Sequence, residues 1–388
     1  MQLARISLAG ALGAAAMLCA AIALPAAAET NAGQIRPSAD KPFVATAVAT
    51  FDEPWAIAFL PPADAADARM LITEKPGRMF LVDARGRKIP VAGVPKVAYG
   101  GQNGLLDVAA APDYAASHVI YFTYLEPGAG GSGLALARAT LEQSGGAAAL
   151  RNLSVIWRQT PKGSGGQPGG IIAFAPDGKH LFLTSGDRMR PDTAQDPDQA
   201  LGKVLRLNLD GGTPPDNPWA ASGGVRAQTW TTGHRNPYGL AFAPDGRLWM
   251  DEMGPMGGDE LNLIVAGRNY GWPLVSNGDN YNGTPIPRHA TRPDLAPPVI
   301  YWTPVIAPAG LAFYSGSMFP EWRGSAFIGG LRARALARIV FDDKGGAKEA
   351  DLWDMGQRIR DVAVAPDGAL WVIEDGPGGR LLRLTPKR

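Results

Sequence analysis

Residues 172–187 read IAFAPDGKHLFLTSGD, and the pattern recurs along the chain. Alternating small and large apolar residues make a half-buried strand, Pro-Asp-Gly makes a turn, and HLFLTS makes a second strand running back. Proline presets φ in such a turn and glycine accepts a positive φ. The same unit reads IAFLPPADAADARMLITEKPG from 57, VAAAPDYAASHVIYFTYLE from 108, LAFAPDGRLWMDEMG from 240 and VAVAPDGALWVIEDG from 362. A more degenerate copy, LAFYSGSMFPEWRGSAFIGGL, begins at 311. Strand-only repeats that cannot bury an apolar face alone become stable by packing sheet on sheet, so the six copies predict an all-β, six-bladed β-propeller. A parallel β-helix would have shorter, more even rungs, and a two-sheet sandwich leaves six copies unexplained. The extended segment PFVATAVAT at 42–50 is expected to pair with the last blade and close the ring, making 42–388 one domain behind an extension at 29–41. Propellers bind ligands on their axis, so functional residues should be scattered in sequence and cluster at the ends of the repeat strands.

The first 28 residues carry Arg5, an apolar run from Ile6 to Leu24 and the small-residue end Ala26 to Ala28. This is the pattern of a secretory signal peptide cut before Glu29. Gly10, Gly13 and Pro25 interrupt the run, which disfavours a retained anchor. The only cysteine, Cys19, lies inside this segment without the small preceding residue of a lipoprotein signal, so the exported chain would hold no thiol. With 37 basic and 36 acidic residues the formal charge is +1, which gives no reason to expect nucleic acid or an anionic membrane as partner.

The loop ahead of the quoted strand, GSGGQPGG at 163–170, could suggest a phosphate cradle. It lacks the Lys-Ser/Thr of a P-loop and the G-x-G-x-x-G spacing, and a strand follows where both motifs need a helix. Three other loops carry more polar groups and special backbone residues than turns require: GGQNGLLD at 100–107, TTGHRNPYGLAF at 231–242 and DEMGPMGGDELNLIVAGRNYGWP at 251–273. The last sets Asp251, Glu252, Asp259 and Glu260 around Gly-Pro and Gly-Gly. Carboxylates mixed with free carbonyls suit a hard cation such as Ca²⁺, although the spacing is not that of an EF-hand, and solvated loop carboxylates are the alternative.

These loops, with PWAIAFLP, LGKVLRLNLDG, YWTPVIAPAGLAFYSG and RIRDV in the same order, resemble the soluble quinoprotein sugar dehydrogenases. These form the glucose/sorbosone dehydrogenase family of periplasmic aldose sugar dehydrogenases, which use pyrroloquinoline quinone (PQQ) and calcium on a six-bladed propeller. The resemblance spans nearly the whole exported chain. It implies that Gln102 contacts the quinone, and that Arg235 and Asn236 lie at its reactive edge. It further implies that Arg332 and Arg334 of GGLRAR, with Arg358 and Arg360, serve its carboxylates, and that Tyr281 adds a contact. Arginine forks suit a flat polycarboxylate by bidentate pairing and by stacking. Carbonyls of Gly254 and Pro255 would hold the calcium beside PQQ, Glu260 and Tyr270 a structural ion, and Asp259 either one. The implied reaction oxidises an aldose at C1 to the lactone and passes electrons to a respiratory acceptor.

Two positions depart from the family pattern. Aligned through the APDG turn, the family's catalytic His becomes Gln167 and the arginine of its following Gly-Arg becomes Ile171, while the carboxylate that orients the His survives as Asp187. An amide cannot accept a proton near neutral pH. His118 and His180 fall in blade strands or outer turns, His289 in a proline-rich loop, and His234 is a local residue of the GHRNP motif. Either Asp187 is the base, directly or through a water held by Gln167, or the chain is a weak or inactive propeller that binds a sugar, an anion or a protein in its funnel. A calcium-only lactonase is a third reading by fold analogy, and it would not need the arginines.

Overall fold

The computed structural model describes residues 29–61 and 69–387; the expected signal peptide and Cys19 lie outside them. The fold is all-β. In the quoted unit, strand Gly169–Phe174 pairs antiparallel with His180–Ser185, then Lys203–Asn208 and Thr229–Thr232 follow outward in one four-stranded sheet. The turn closes with Gly178 N donating to Ala175 O at 2.9 Å, and Gly178 has φ +65°. The same bond closes the turns at Gly246 and Gly368. In the degenerate copy the turn is replaced by a loop whose Phe319 and Trp322 rings stack at 3.7 Å.

Each repeat copy leads a sheet with its first strand: Pro54–Leu60, Leu105–Ala110, Gly169–Phe174, Pro237–Phe242, Pro308–Phe313 and Ile359–Val364. Consecutive leading strands lie side by side, and the last lies beside the first, so they form a closed ring around an axis. The last sheet takes its outer strand from the start of the chain: Phe43–Asp52 pairs antiparallel with Pro377–Pro386, Phe43 opposite Pro386. The first two sheets are not separate. Lys88–Ala92 pairs in parallel with Ala147–Arg158, fusing them into one eight-stranded sheet and covering two edges that would otherwise be open.

Apolar residues of facing sheets fill the gaps between them. Phe182 of one sheet packs edge-on against Phe242 of the next at 5.5 Å, within a buried cluster that includes Val204, Leu240 and Met250. Removing such a side chain costs about 2–5 kcal/mol in buried sites.

Near the axis, a threonine stitches one sheet to the next in three successive places. Thr73 Oγ1 accepts from Ala56 N and donates to Leu106 O of the following sheet at 2.6 Å. Thr123 repeats the pattern onto Gly170 O at 2.6 Å, and Thr184 onto Pro237 O at 3.3 Å. Two aspartates of leading strands add to the stitching: Asp107 Oδ2 accepts from Ile172 N, and Asp361 Oδ2 from Ile57 N. In the sheet led by Pro237–Phe242, the residue at the threonine position is Asp251, opposite Gly239. It is fully buried, and neither oxygen has a hydrogen-bond partner among the described residues. Gly239 is glycine because a Cβ there would strike that carboxyl group.

Candidate active site

A cavity of about 890 Å³ opens on the axis. Its floor is Trp55, Tyr238 and Arg360: the two rings meet edge-on at 5.6 Å, with the guanidinium 5.9 Å and 5.6 Å from their centroids. Because these side chains come from three different leading strands or their ends, only the closed ring assembles the floor. Arg358 and Arg360 reach one carboxylate, Asp375, at 2.7 Å and 2.8 Å. Burial alone would raise the Asp375 carboxyl, but Arg360 and Arg358 outweigh it and hold it below the ordinary range. Arg332 lines the mouth, whereas Arg334 is exposed and does not line the cavity.

Arg235 crosses the wall. Its Nη1 donates to Met253 O at 3.0 Å and Gly254 O at 2.7 Å, its Nη2 donates to Tyr281 Oη at 3.2 Å, and the guanidinium lies 5.4 Å from the Trp272 ring centroid. Asn236 beside it is buried, and its amide oxygen has no partner among the described residues. Gly254, Pro255 and Asp259 also line the cavity. Gly254 and Pro255 offer backbone carbonyls of the kind a hard cation takes, and the Gly254 oxygen is shared with the Arg235 guanidinium. Asp259 spends its own oxygens on backbone, accepting from Gly254 N, Ile306 N and Ala307 N, and burial raises it to about 7.

Glu260 and Tyr270 lie away from this cavity. Glu260 is buried against Asn262 and His289, and Tyr270 bonds the backbone of Leu263 and Val265. His234 is also outside it, bonded to Thr231 and Glu252 and stacked on Tyr270. His118 and His180 do not line it either.

The glycine-rich loop packs against the GQNG loop. Gln102 Oε1 accepts from Gln167 N at 2.5 Å, and Asn103 Nδ2 donates to Gly165 O at 3.0 Å. The glycines are what permit this approach, since a Cβ at Gly166 would lie 2.7 Å from Gln102 Oε1. Arg188, buried and with no carboxylate partner among the described residues, donates to Asn103 Oδ1 at 2.9 Å and Ser132 Oγ at 3.1 Å, and burial lowers it to about 10.

Gln167 stands at the cavity wall with φ +53°, its amide between two functional groups. In the orientation that satisfies both, Nε2 donates to Asp187 Oδ1 and Oε1 accepts from Arg235 Nη2 at 2.8 Å. Asp187 is 1% exposed and does not line the cavity. Its Oδ2 accepts from Trp272 Nε1 at 2.8 Å and its Oδ1 also from Met189 N at 2.8 Å. Burial raises Asp187 to about 6 against the pull of Trp272, Met189 and Arg235. Trp272 and Asp375 carry no role in the sequence reading. The Trp of NYGWP and the Asp after the last WVIE strand were visible, but only folding shows which groups they hold.

The family profile described as Glucose / Sorbosone dehydrogenase matches residues 51–383. The chain belongs to this family. It is 41% identical over 344 residues to the aldose sugar dehydrogenase YliI of Escherichia coli strain K12, covering 87% of this chain and 91% of that protein. A crystal structure described as a glucose dehydrogenase superposes with TM-score 0.82 at 42% identity, over 89% of this chain and 100% of that one. The PQQ-bound form of the aldose sugar dehydrogenase from Streptomyces coelicolor superposes with TM-score 0.70 at 28% identity, over 90% of this chain and 100% of that one. Membership of this family makes the axial cavity the candidate sugar-oxidising site. Among the described residues no helix is long and apolar enough to cross a membrane.

Proposed function

We propose that this protein is an exported, periplasmic, PQQ- and calcium-dependent aldose dehydrogenase built as a six-bladed propeller. The observation that carries the reading is convergence: Gln102, Arg235, Asn236, Arg358 and Arg360, far apart in sequence, line one cavity with Gly254 and Pro255. The arginines would hold the cofactor's carboxylates and the carbonyls of Gly254 and Pro255 its calcium, with Arg332 and Tyr281 at the mouth. PQQ with calcium, when bound, supplies the two-electron acceptor for the C1 hydride of an aldose, leaving the lactone; electrons then pass to a respiratory acceptor.

The chain's own part is to take the C1 hydroxyl proton. Asp187 is the carboxylate with the right affinity, since at about 6 it is ionised yet still a useful acceptor at neutral pH. Its Oδ1 is covered by the Gln167 amide, so accepting a substrate proton requires that amide to turn aside. Gln167 is therefore a brake on an otherwise intact site.

The same covering amide supports the second reading, a propeller that binds a sugar or an anion without oxidising it. Titration of the purified protein with PQQ and Ca²⁺, followed by a panel of aldoses, separates the two. A shifted quinone spectrum with sugar oxidation supports the enzyme, and a shifted spectrum without oxidation supports the binding propeller. Absence of both the spectral shift and the oxidation would sink the quinoprotein reading.

A further inference from the structure

The segment just ahead of the ring lies outside the residues matched to the family, yet it reaches the funnel. Thr30–Asn31 runs parallel to Ile300–Trp302, with Ala32 N donating to Tyr301 O at 2.8 Å and Ala32 buried. Asn31 then grips the first residue of the cavity wall Thr303–Ala307 from both sides. Its Oδ1 accepts from Thr303 N at 3.1 Å and its Nδ2 donates to Thr303 O at 3.2 Å. Gly33 packs directly on that backbone, where a Cβ would collide with Thr303. Gln34 Nε2 donates to the same Thr303 O at 3.0 Å, and Gln34 lines the cavity. Farther on, Ser38 exchanges backbone bonds with Leu352 and Asp354 at 2.8 Å, so the segment straps two neighbouring sheets. From the inner side the same wall is held by Asp259 through Ile306 N and Ala307 N.

We propose that this strap is a built part of the funnel, with Gln34 a specificity residue that contacts substrate hydroxyls and Asn31 a positioning residue for the wall Thr303–Ala307. The assignment to substrate rests on the reading above, in which the cofactor occupies the buried floor. Arg235, Asn236 and Arg360 are buried there, whereas Gln34 is exposed and lines the open end of the cavity. The bond to Thr303 uses the amide nitrogen of Gln34 and leaves its oxygen to accept from a hydroxyl.

Two variants test this. Gln34→Ala is expected to raise the KM for aldose by about three- to tenfold, the worth of one neutral hydrogen bond, more than it changes kcat. PQQ affinity, read from the quinone spectrum, should stay within about twofold. Asn31→Ala is expected to speed amide exchange at Ile306 and Ala307 by about tenfold, a local opening rather than a global one. If Gln34→Ala weakens PQQ as much as it raises KM, the substrate assignment is overturned. If KM is unmoved, Gln34 has no part in specificity. Should PQQ fail to bind the unaltered protein, the quinoprotein reading falls and the substrate role of Gln34 with it. Amide exchange, which needs no ligand, then decides the strap: equal rates in Asn31→Ala and the unaltered protein overturn it.

Discussion

Trp272 Nε1 donates to Asp187 Oδ2 at 2.8 Å, fixing the one carboxylate that stands behind Gln167. The indole both orients the group and stabilises its charge, while burial works the other way and wins. Sugar oxidation should therefore rise with pH through a limb near 6, because the base must be ionised.

Trp272→Phe removes the donor and leaves the carboxyl harder to ionise. The rising limb is expected to move to higher pH, with activity below it reduced about fivefold for a bond worth about 1 kcal/mol. A pH–rate profile of both proteins checks this, and a limb that stays in place would separate Asp187 from the proton step.

Gln167→His supplies a side chain that accepts protons at neutral pH and can bond Asp187. It is expected to raise kcat by about 10²- to 10⁴-fold, the usual span for a positioned general base. Asp187→Asn should abolish activity in the unaltered protein and reduce it strongly in the histidine variant. Steady-state kinetics on the four proteins reads the outcome.

Asp251 makes a pH-dependent liability. Burial, with Asp259, Glu252 and Asp361 near, raises its folded-state pKa well above the ordinary value. A carboxyl raised in the folded state binds its proton more tightly there than in the unfolded chain. Its contribution to stability is full below about pH 4 and is lost as pH rises toward the folded value. Asp251→Asn keeps the shape, restores a donor and carries no charge. Its Tm is expected to exceed that of the unaltered protein by several degrees at pH 8 and to differ less at pH 5, by scanning calorimetry.

Asp375→Asn leaves Arg358 and Arg360 facing each other without their shared anion. Arg360 is nearly buried, so loss of its partner is expected to cost about 2–3 kcal/mol of unfolding free energy. Urea denaturation measures this, and PQQ titration of the same variant reports whether the two arginines still converge.

The repeating strands were legible because period-two alternation and Pro-Asp-Gly turns are local signals, the first running through the copies and the second intact in those at 172, 240 and 362. The fused first two sheets were not, since parallel pairing of Lys88–Ala92 with Ala147–Arg158 joins outer strands that carry no motif. At the site, Gln102, Arg235, Asn236, Arg358 and Arg360 line the cavity and were legible because they stand in motifs that resemble the family's. Glu260 and Tyr270, expected at a separate structural ion, lie in a neighbouring buried network outside the cavity. Arg334 lies two residues from Arg332 and ends outside the cavity. Asp375 and Trp272 act through other side chains, and a sequence displays a partner only after folding has chosen it. Gln34 was invisible for the same reason: its extension reads as a polar leader to the domain.

The seam between the first two sheets also sets an order of assembly. A nascent chain that has emerged to residue 158 can already pair those outer strands with each other. The strand Phe43–Asp52 is made earlier still, yet its partner Pro377–Pro386 is made last. The fused pair of sheets thus needs only the chain up to residue 158, whereas the ring cannot shut until the strand ending at Pro386 is available, wherever the chain folds.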